Sequence, residues 1–255
     1  MILKNKVIIS GCSYSAYAGF GISYGDNLKR YGYDVFNMAW NGQSNESIIK
    51  KIYDYINKEN VTDSLIVCQL TYIHRIGWFH HSINRWVDYQ PKYIQTIPEY
   101  NIENDSIKFE ILMDETFMEG GSWETPKDVS KEDYIILTDM YKTWLKYVYD
   151  EDEMFNYLLY KIDTLKAYVE STNNQIEFIY WPEIQNQIQL KEIKKRNFIN
   201  IDDEYSMLKW STKNKLVDNT SHLTKEGHIT FSNILDNKIT KNYPKIQKIK
   251  KSFLI

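Results

Sequence analysis

Two short stretches at opposite ends of the chain hold residues whose types suit nucleophilic chemistry. Near the start, an apolar run ends in Gly11-Cys12-Ser13-Tyr14-Ser15. Near the end, "VDNTSHLTKEGH" (217 to 228) carries Asp218 and His222 in one loop. A serine hydroxyl is a weak nucleophile until a base takes its proton and a third group orients that base. Ser13, His222 and Asp218 supply those three types, provided that the fold brings the two ends together.

The surrounding pattern predicts elements able to do this. "KVIIS" (6 to 10), "DVFNMA" (34 to 39) and "SLIVCQL" (64 to 70) read as buried strands. Between them, "SYGDNLKRYGY" reads as a short helix ended by Gly32. "SNESIIKKIYDYINKEN" sets Ile48, Ile49, Ile52, Tyr53 and Ile56 on one helical face, with Ser44 or Asn45 as N-cap. Strand and helix alternating with short connections predict an α/β fold, a mostly parallel central sheet between two layers of helices. Helical spacing returns over 133 to 149 and 155 to 170, with the acidic run Asp150 to Glu153 capping the second helix. "QIEFIYW" (175 to 181) predicts a fourth strand and "NFINID" (197 to 202) a fifth. A terminal helix starts at a Thr224 cap.

Residues 76 to about 132 break this rhythm, with three of the five prolines, the Gly120-Gly121 pair and no sustained period. They read as an aromatic-rich insertion after the third strand, with a short hairpin in 105 to 117. No repeat or linker divides the chain, so one domain spanning 1 to 255 is expected.

In a parallel sheet, ligands bind beyond the carboxyl ends of the strands, which is where Ser13 would stand. "GCSYS" after the first strand, "NMAWNGQSN" after the second and "DNTSHLTKEGH" before the last helix together resemble the three blocks of the SGNH/GDSL hydrolases. The resemblance covers roughly residues 5 to 72 and 155 to 240. It implies a flavodoxin-like three-layer fold and a serine esterase with Ser13, His222 and Asp218 as triad. It places Gly42 in the oxyanion hole and implies no cofactor and no metal.

The sequence departs from the family at three points. Cys12 replaces the Asp of the Gly-Asp-Ser block. The position three before the His is Asn219, with Asp218 one residue further away. "VCQLTYIHR" lacks the oxyanion Asn of the third-strand block, leaving Thr71 as the nearest donor and Asn45 and Arg75 as alternatives. Losing one such donor costs about 10²–10³ in rate. A binding or structural protein with a degraded site, or an acyltransferase on the same triad, is the alternative reading.

Composition narrows the partners. A net charge of −3 offers no basic field for nucleic acid, and the basic stretch "KIQKIKKSFLI" reads as a solvated tail. No window reaches the roughly 18 apolar residues of a membrane span, and the apolar run after Lys6 is too short for a signal peptide. Two cysteines, Cys12 and Cys68, make no disulfide framework. A cytoplasmic protein is the expectation. His74, His80 and His81 match no helical metal motif. Neither a nucleotide-binding glycine loop nor a Gly-x-Ser-x-Gly elbow is present. The 21 tyrosines and 7 tryptophans supply flat amphipathic faces that suit sugars, so a small-molecule or carbohydrate ester is the expected substrate. Nothing in the residues fixes an oligomeric state.

Overall fold

The computed structural model describes residues 5–16, 23–40, 42–80, 85–89, 139–141, 143–244 and 246. In these, β1 (Lys6–Ser10), α1 (Tyr24–Arg30), β2 (Asp34–Asn37), α2 (Asn45–Glu59) and β3 (Leu65–Leu70) follow one another as the pattern predicts. β4 (Ile76–His80) and β5 (Arg85–Tyr89) come next, then α3 (Glu151–Ser171) and β6 (Gln175–Tyr180). The chain continues through α4 (Gln187–Lys195) and α5 (Met207–Lys213) to α6 (Lys225–Asn242).

β1, β2, β3 and β6 form one parallel sheet in the order β2-β1-β3-β6. From β1 the chain steps one way to β2, then back past β1 to β3. Right-handed crossovers therefore place α1 and α2 on opposite faces. The contacts agree: α1 packs on α6, and α2 packs on α3. The reversal leaves a crevice between the carboxyl ends of β1 and β3, the place where such sheets bind ligands.

The two central strands, β1 and β3, are apolar on both faces. Val7, Ile8, Ile9, Leu65, Ile66 and Val67 are all buried, as central parallel strands require. α2 turns Ile48, Ile49, Ile52 and Ile56 into the same core, each contributing about 1.5–3 kcal/mol by leaving water. Caps fix the ends of the helices. Ser44 accepts from the Ser47 N–H, Asp150 from Glu153 and Thr224 from Gly227.

Four features differ from the sequence reading. "NFINID" is not a strand. It donates one sheet-like bond, Ile199 N–H to the Phe178 carbonyl, and then turns through Asp202 and Asp203 at positive φ. Polar, left-handed residues end the pairing before a ladder can form. β4 and β5 pair as an antiparallel hairpin at the start of the expected insertion. α4 and α5 also went unread, being short and polar on most faces. The helix expected over 133 to 149 is present at 139–141 and 143–147. The hairpin expected in 105 to 117 and most of the insertion lie outside the described residues.

Candidate active site

Ser13 follows β1 in a turn closed by Ser15 and Ala16 N–H groups donating to the Cys12 carbonyl. The turn is held from β3. The Gln69 Oε1 accepts from the Cys12 N–H at 3.2 Å, the Cys12 thiol at 3.4 Å and the Ser15 hydroxyl at 3.0 Å. Ser15 also meets the Tyr24 hydroxyl at 2.7 Å. Gly11 is required by this crowding, since a Cβ there would lie 2.7 Å from Ser15 Oγ and 2.8 Å from Gln69 Oε1. Tyr14 stacks on Trp181 after β6, ring centroids 3.7 Å apart. Ser13 itself is 2% exposed, and its N–H makes no hydrogen bond among the described residues.

His222 approaches from the loop before α6. A bridge between Val217 and Leu223 pinches the base of that loop, and Asp218 N–H donates to the His222 carbonyl at 2.8 Å. Ser221 takes the left-handed conformation, φ 63°, which absorbs the extra residue between Asp218 and His222. The result sets His222 Nε2 2.9 Å from Ser13 Oγ, across 209 positions of sequence.

Asp218 makes no hydrogen bond to the imidazole. Its Oδ1 accepts from the His222 N–H at 3.0 Å, the Thr220 N–H at 2.8 Å and the Thr220 hydroxyl at 2.6 Å. The Thr220 Oγ1 in turn lies 2.9 Å from His222 Nδ1. A hydroxyl has one proton to give. Given to the carboxylate, it leaves Thr220 Oγ1 to accept from Nδ1–H, and the Nε2 lone pair faces the Ser13 hydroxyl. Asn219 is exposed and makes no described bond to the ring.

The electrostatics fit a neutral base. Burial pushes the His222 imidazole below its ordinary value, reinforced by the Arg75 charge and opposed by Asp218 and a Thr220 hydrogen bond. For Asp218, partial burial pushes upward, but hydrogen bonds from Thr220 and His222 outweigh it and hold the carboxyl low. At neutral pH the pair is therefore a carboxylate and an uncharged imidazole.

Gly42 lies in the turn between β2 and α2 at φ 72°, a conformation that glycine adopts without strain. Trp40 N–H donating to the Gly11 carbonyl at 3.1 Å ties that connection to the nucleophile turn. Thr71 follows β3 directly, fully buried, its hydroxyl unpartnered. The Asn45 side chain holds Thr71 in place, accepting from its N–H at 2.8 Å and donating to its carbonyl at 3.1 Å. Asn45, an alternative oxyanion donor in the sequence, thus serves as the clamp on another. Gly42, Thr71 and Ser13 all stand at carboxyl ends of adjacent strands.

Gln69 and Thr220 were missed by the sequence reading. Gln69 had a signal: a polar side chain inside "LIVCQL" must find hydrogen-bond partners when buried. Thr220 sits between Asp218 and His222 in the loop, and only its geometry sets it apart. Among the described residues, no group of three His, Cys, Asp or Glu side chains could hold a metal ion. No described helix is long and apolar enough to cross a membrane.

No protein-family model matches the chain, and no curated protein is significantly similar to it. Solved structures similar to it include the psychrotrophic esterase EstA from Pseudoalteromonas sp., at 13% identity and a TM-score of 0.48, covering 94% of this chain and 99% of that one. Another is the lipase/acylhydrolase from Enterococcus faecalis, at 11% identity and a TM-score of 0.44, covering 93% and 96%.

Proposed function

We propose that the chain is a serine ester hydrolase of SGNH/GDSL type. The observation that carries this reading is the 2.9 Å approach of His222 Nε2 to Ser13 Oγ, with the other ring nitrogen engaged by Thr220. Ser13 Oγ attacks the ester carbonyl carbon as its proton passes to His222 Nε2. The Ser13 and Gly42 N–H groups and the Thr71 hydroxyl receive the oxyanion. Collapse breaks the bond to the alcohol oxygen, which takes the proton from His222 and leaves an acyl-serine. Water then attacks the acyl carbon, His222 takes its proton, and the carboxylic acid departs as Ser13 recovers its own. The Asp218 carboxylate acts through Thr220, holding the tautomer and stabilising the imidazolium.

The acyl group sits on a carbohydrate in this reading. Support comes from the half-exposed Trp40 beside the nucleophile turn, an aromatic face open to a sugar ring.

A fluorophosphonate probe tests the nucleophile before any substrate is known. The expected result is a single adduct on Ser13, located by mass spectrometry and lost in His222→Ala. Well-folded protein that takes no label refutes the hydrolase.

A further inference from the structure

Arg75 sits in the turn after β3 and is 2% exposed, one of the largest buried side chains of the molecule. Its backbone N–H donates to the Tyr72 carbonyl at 3.2 Å, and its guanidinium lies 5.3 Å from the Tyr72 ring centroid. Tyr72 lies close enough to Tyr14 for each to affect the other's ionisation, and the Tyr14 ring is 4.8 Å from that of His222. The guanidinium is therefore one aromatic layer from the nucleophile and its base.

A buried cation ordinarily meets a carboxylate and fills its donors. Arg75 does neither. Nε and Nη1 are buried without a hydrogen-bond partner, and no ion pair joins Arg75 to any described acidic residue. Glu183, whose charge reaches Tyr72, is exposed and does not pair with it. The Tyr72 ring face offers the charge only partial compensation. A further buried donor beside the same layer is also unpartnered, the Nε1 of Trp181, which stacks on Tyr14. Unfilled donors on a buried cation are complementary to an anion.

We infer that Arg75 anchors a negatively charged group of the substrate, so that the site takes esters carrying a carboxylate or phosphate close to the scissile bond. This rests on the reading of Ser13 and His222 as the ester-cleaving pair. The planar guanidinium fork binds either oxyanion through two parallel hydrogen bonds. In that role Arg75 determines specificity without touching the reacting atoms.

Two matched pairs of esters test it, one for each side of the scissile bond. On the acyl side, 4-nitrophenyl hydrogen succinate is compared with 4-nitrophenyl butyrate. On the alcohol side, 4-acetoxybenzoate is compared with phenyl acetate. The wild type is expected to favour the anionic member of at least one pair about 10-fold or more in kcat/KM. Arg75→Gln is expected to erase that ratio through KM for the anionic ester, and Arg75→Lys to restore part of it. The inference is overturned by a wild type indifferent to charge in both pairs. It is also overturned by an Arg75→Gln protein in which both members of a pair fall alike in kcat. Arg75→Lys and the wild-type ratio decide the matter if Arg75→Gln does not fold. Fluorophosphonate labelling of Ser13 separates the failures. Labelled protein without charge preference sinks this inference alone, whereas unlabelled, inactive protein sinks the hydrolase as well.

Discussion

The two halves of the candidate active site are held in opposite ways. The nucleophile turn is fixed from a distance: Gln69 lies 54 to 57 positions from the groups it binds, and Trp181 clamps Tyr14 from the far side of the sheet. The histidine loop is fixed locally, with Asp218, Thr220 and His222 hydrogen-bonded to one another within four positions. The first network is buried and the second partly exposed. In the first, hydrogen bonds are inseparable from folding; in the second, they position a side chain on a fold that already stands. Damage to the turn should therefore appear as lost stability, and damage to the loop as lost rate.

The largest effect comes where the two regions meet. Ser13→Ala and His222→Ala should each lower ester hydrolysis by at least about 10³-fold, and the double variant by little more than either. Thermal melting should leave both single variants folded. A double variant whose loss is the product of the two would mean that the residues do not act together.

Gln69→Leu asks whether the turn is held as described. The substitution keeps the bulk of the side chain but strands the buried Cys12 N–H and leaves the Ser15 hydroxyl only its Tyr24 partner. The expected cost is about 2–4 kcal/mol of stability, read as a lowered denaturation midpoint, with fluorophosphonate labelling falling in the same sample. A stable Gln69→Leu protein with slow labelling would place Gln69 in the chemistry and erase the contrast.

The same contrast explains how much could be read from sequence. The four strands of the parallel sheet, the helices α1, α2, α3 and α6, and the stretches bearing Ser13 and His222 follow from hydrophobic period and caps, which are local. Asp218 and Thr220 lie within the quoted loop, yet which of them touches the ring depends on Ser221 turning left-handed. Gln69 announced only that it needed partners, and nothing near it named Cys12 or Ser15. Arg75 stood as an alternative donor for the oxyanion, and only the lack of a carboxylate partner among the described residues gives it a second reading. Long-range pairing depends on the sheet order β2-β1-β3-β6, and a single chain does not display that order.

Thr220→Val cuts the local relay without reaching the turn. Its hydroxyl joins a carboxylate to the imidazole, and a charge-assisted hydrogen bond is worth about 1.5–3 kcal/mol. The expected loss is about 10- to 100-fold in kcat, with the melting temperature nearly unchanged and Thr220→Ser recovering most of the rate. Asp218→Asn should lose a similar factor, and the two together no more than one alone, because they break one chain. Additive losses would mean that Asp218 reaches the imidazole independently of Thr220.

The smallest effect is a displacement along the pH axis, and its sign separates the groups around His222. The imidazole works only when uncharged, so kcat/KM should rise with pH through a midpoint below the ordinary histidine value of about 6.5. Arg75 repels the protonated ring and Asp218 attracts it. Arg75→Gln should therefore move that midpoint up and Asp218→Asn should move it down, whatever either does to the plateau. Stability moves on its own schedule. Burial holds His228 neutral down to about 4, while the unfolded chain takes up a proton near 6.5. A group whose folded value is depressed loses its contribution as pH falls, so stability should decline between about pH 6.5 and 4. His228→Asn should reduce that decline, to which the buried His74, held neutral down to about 3, also contributes, while leaving the activity midpoint in place. An activity midpoint that moved with His228→Asn would mean that the acid limb reports loosening of the fold rather than protonation of the base.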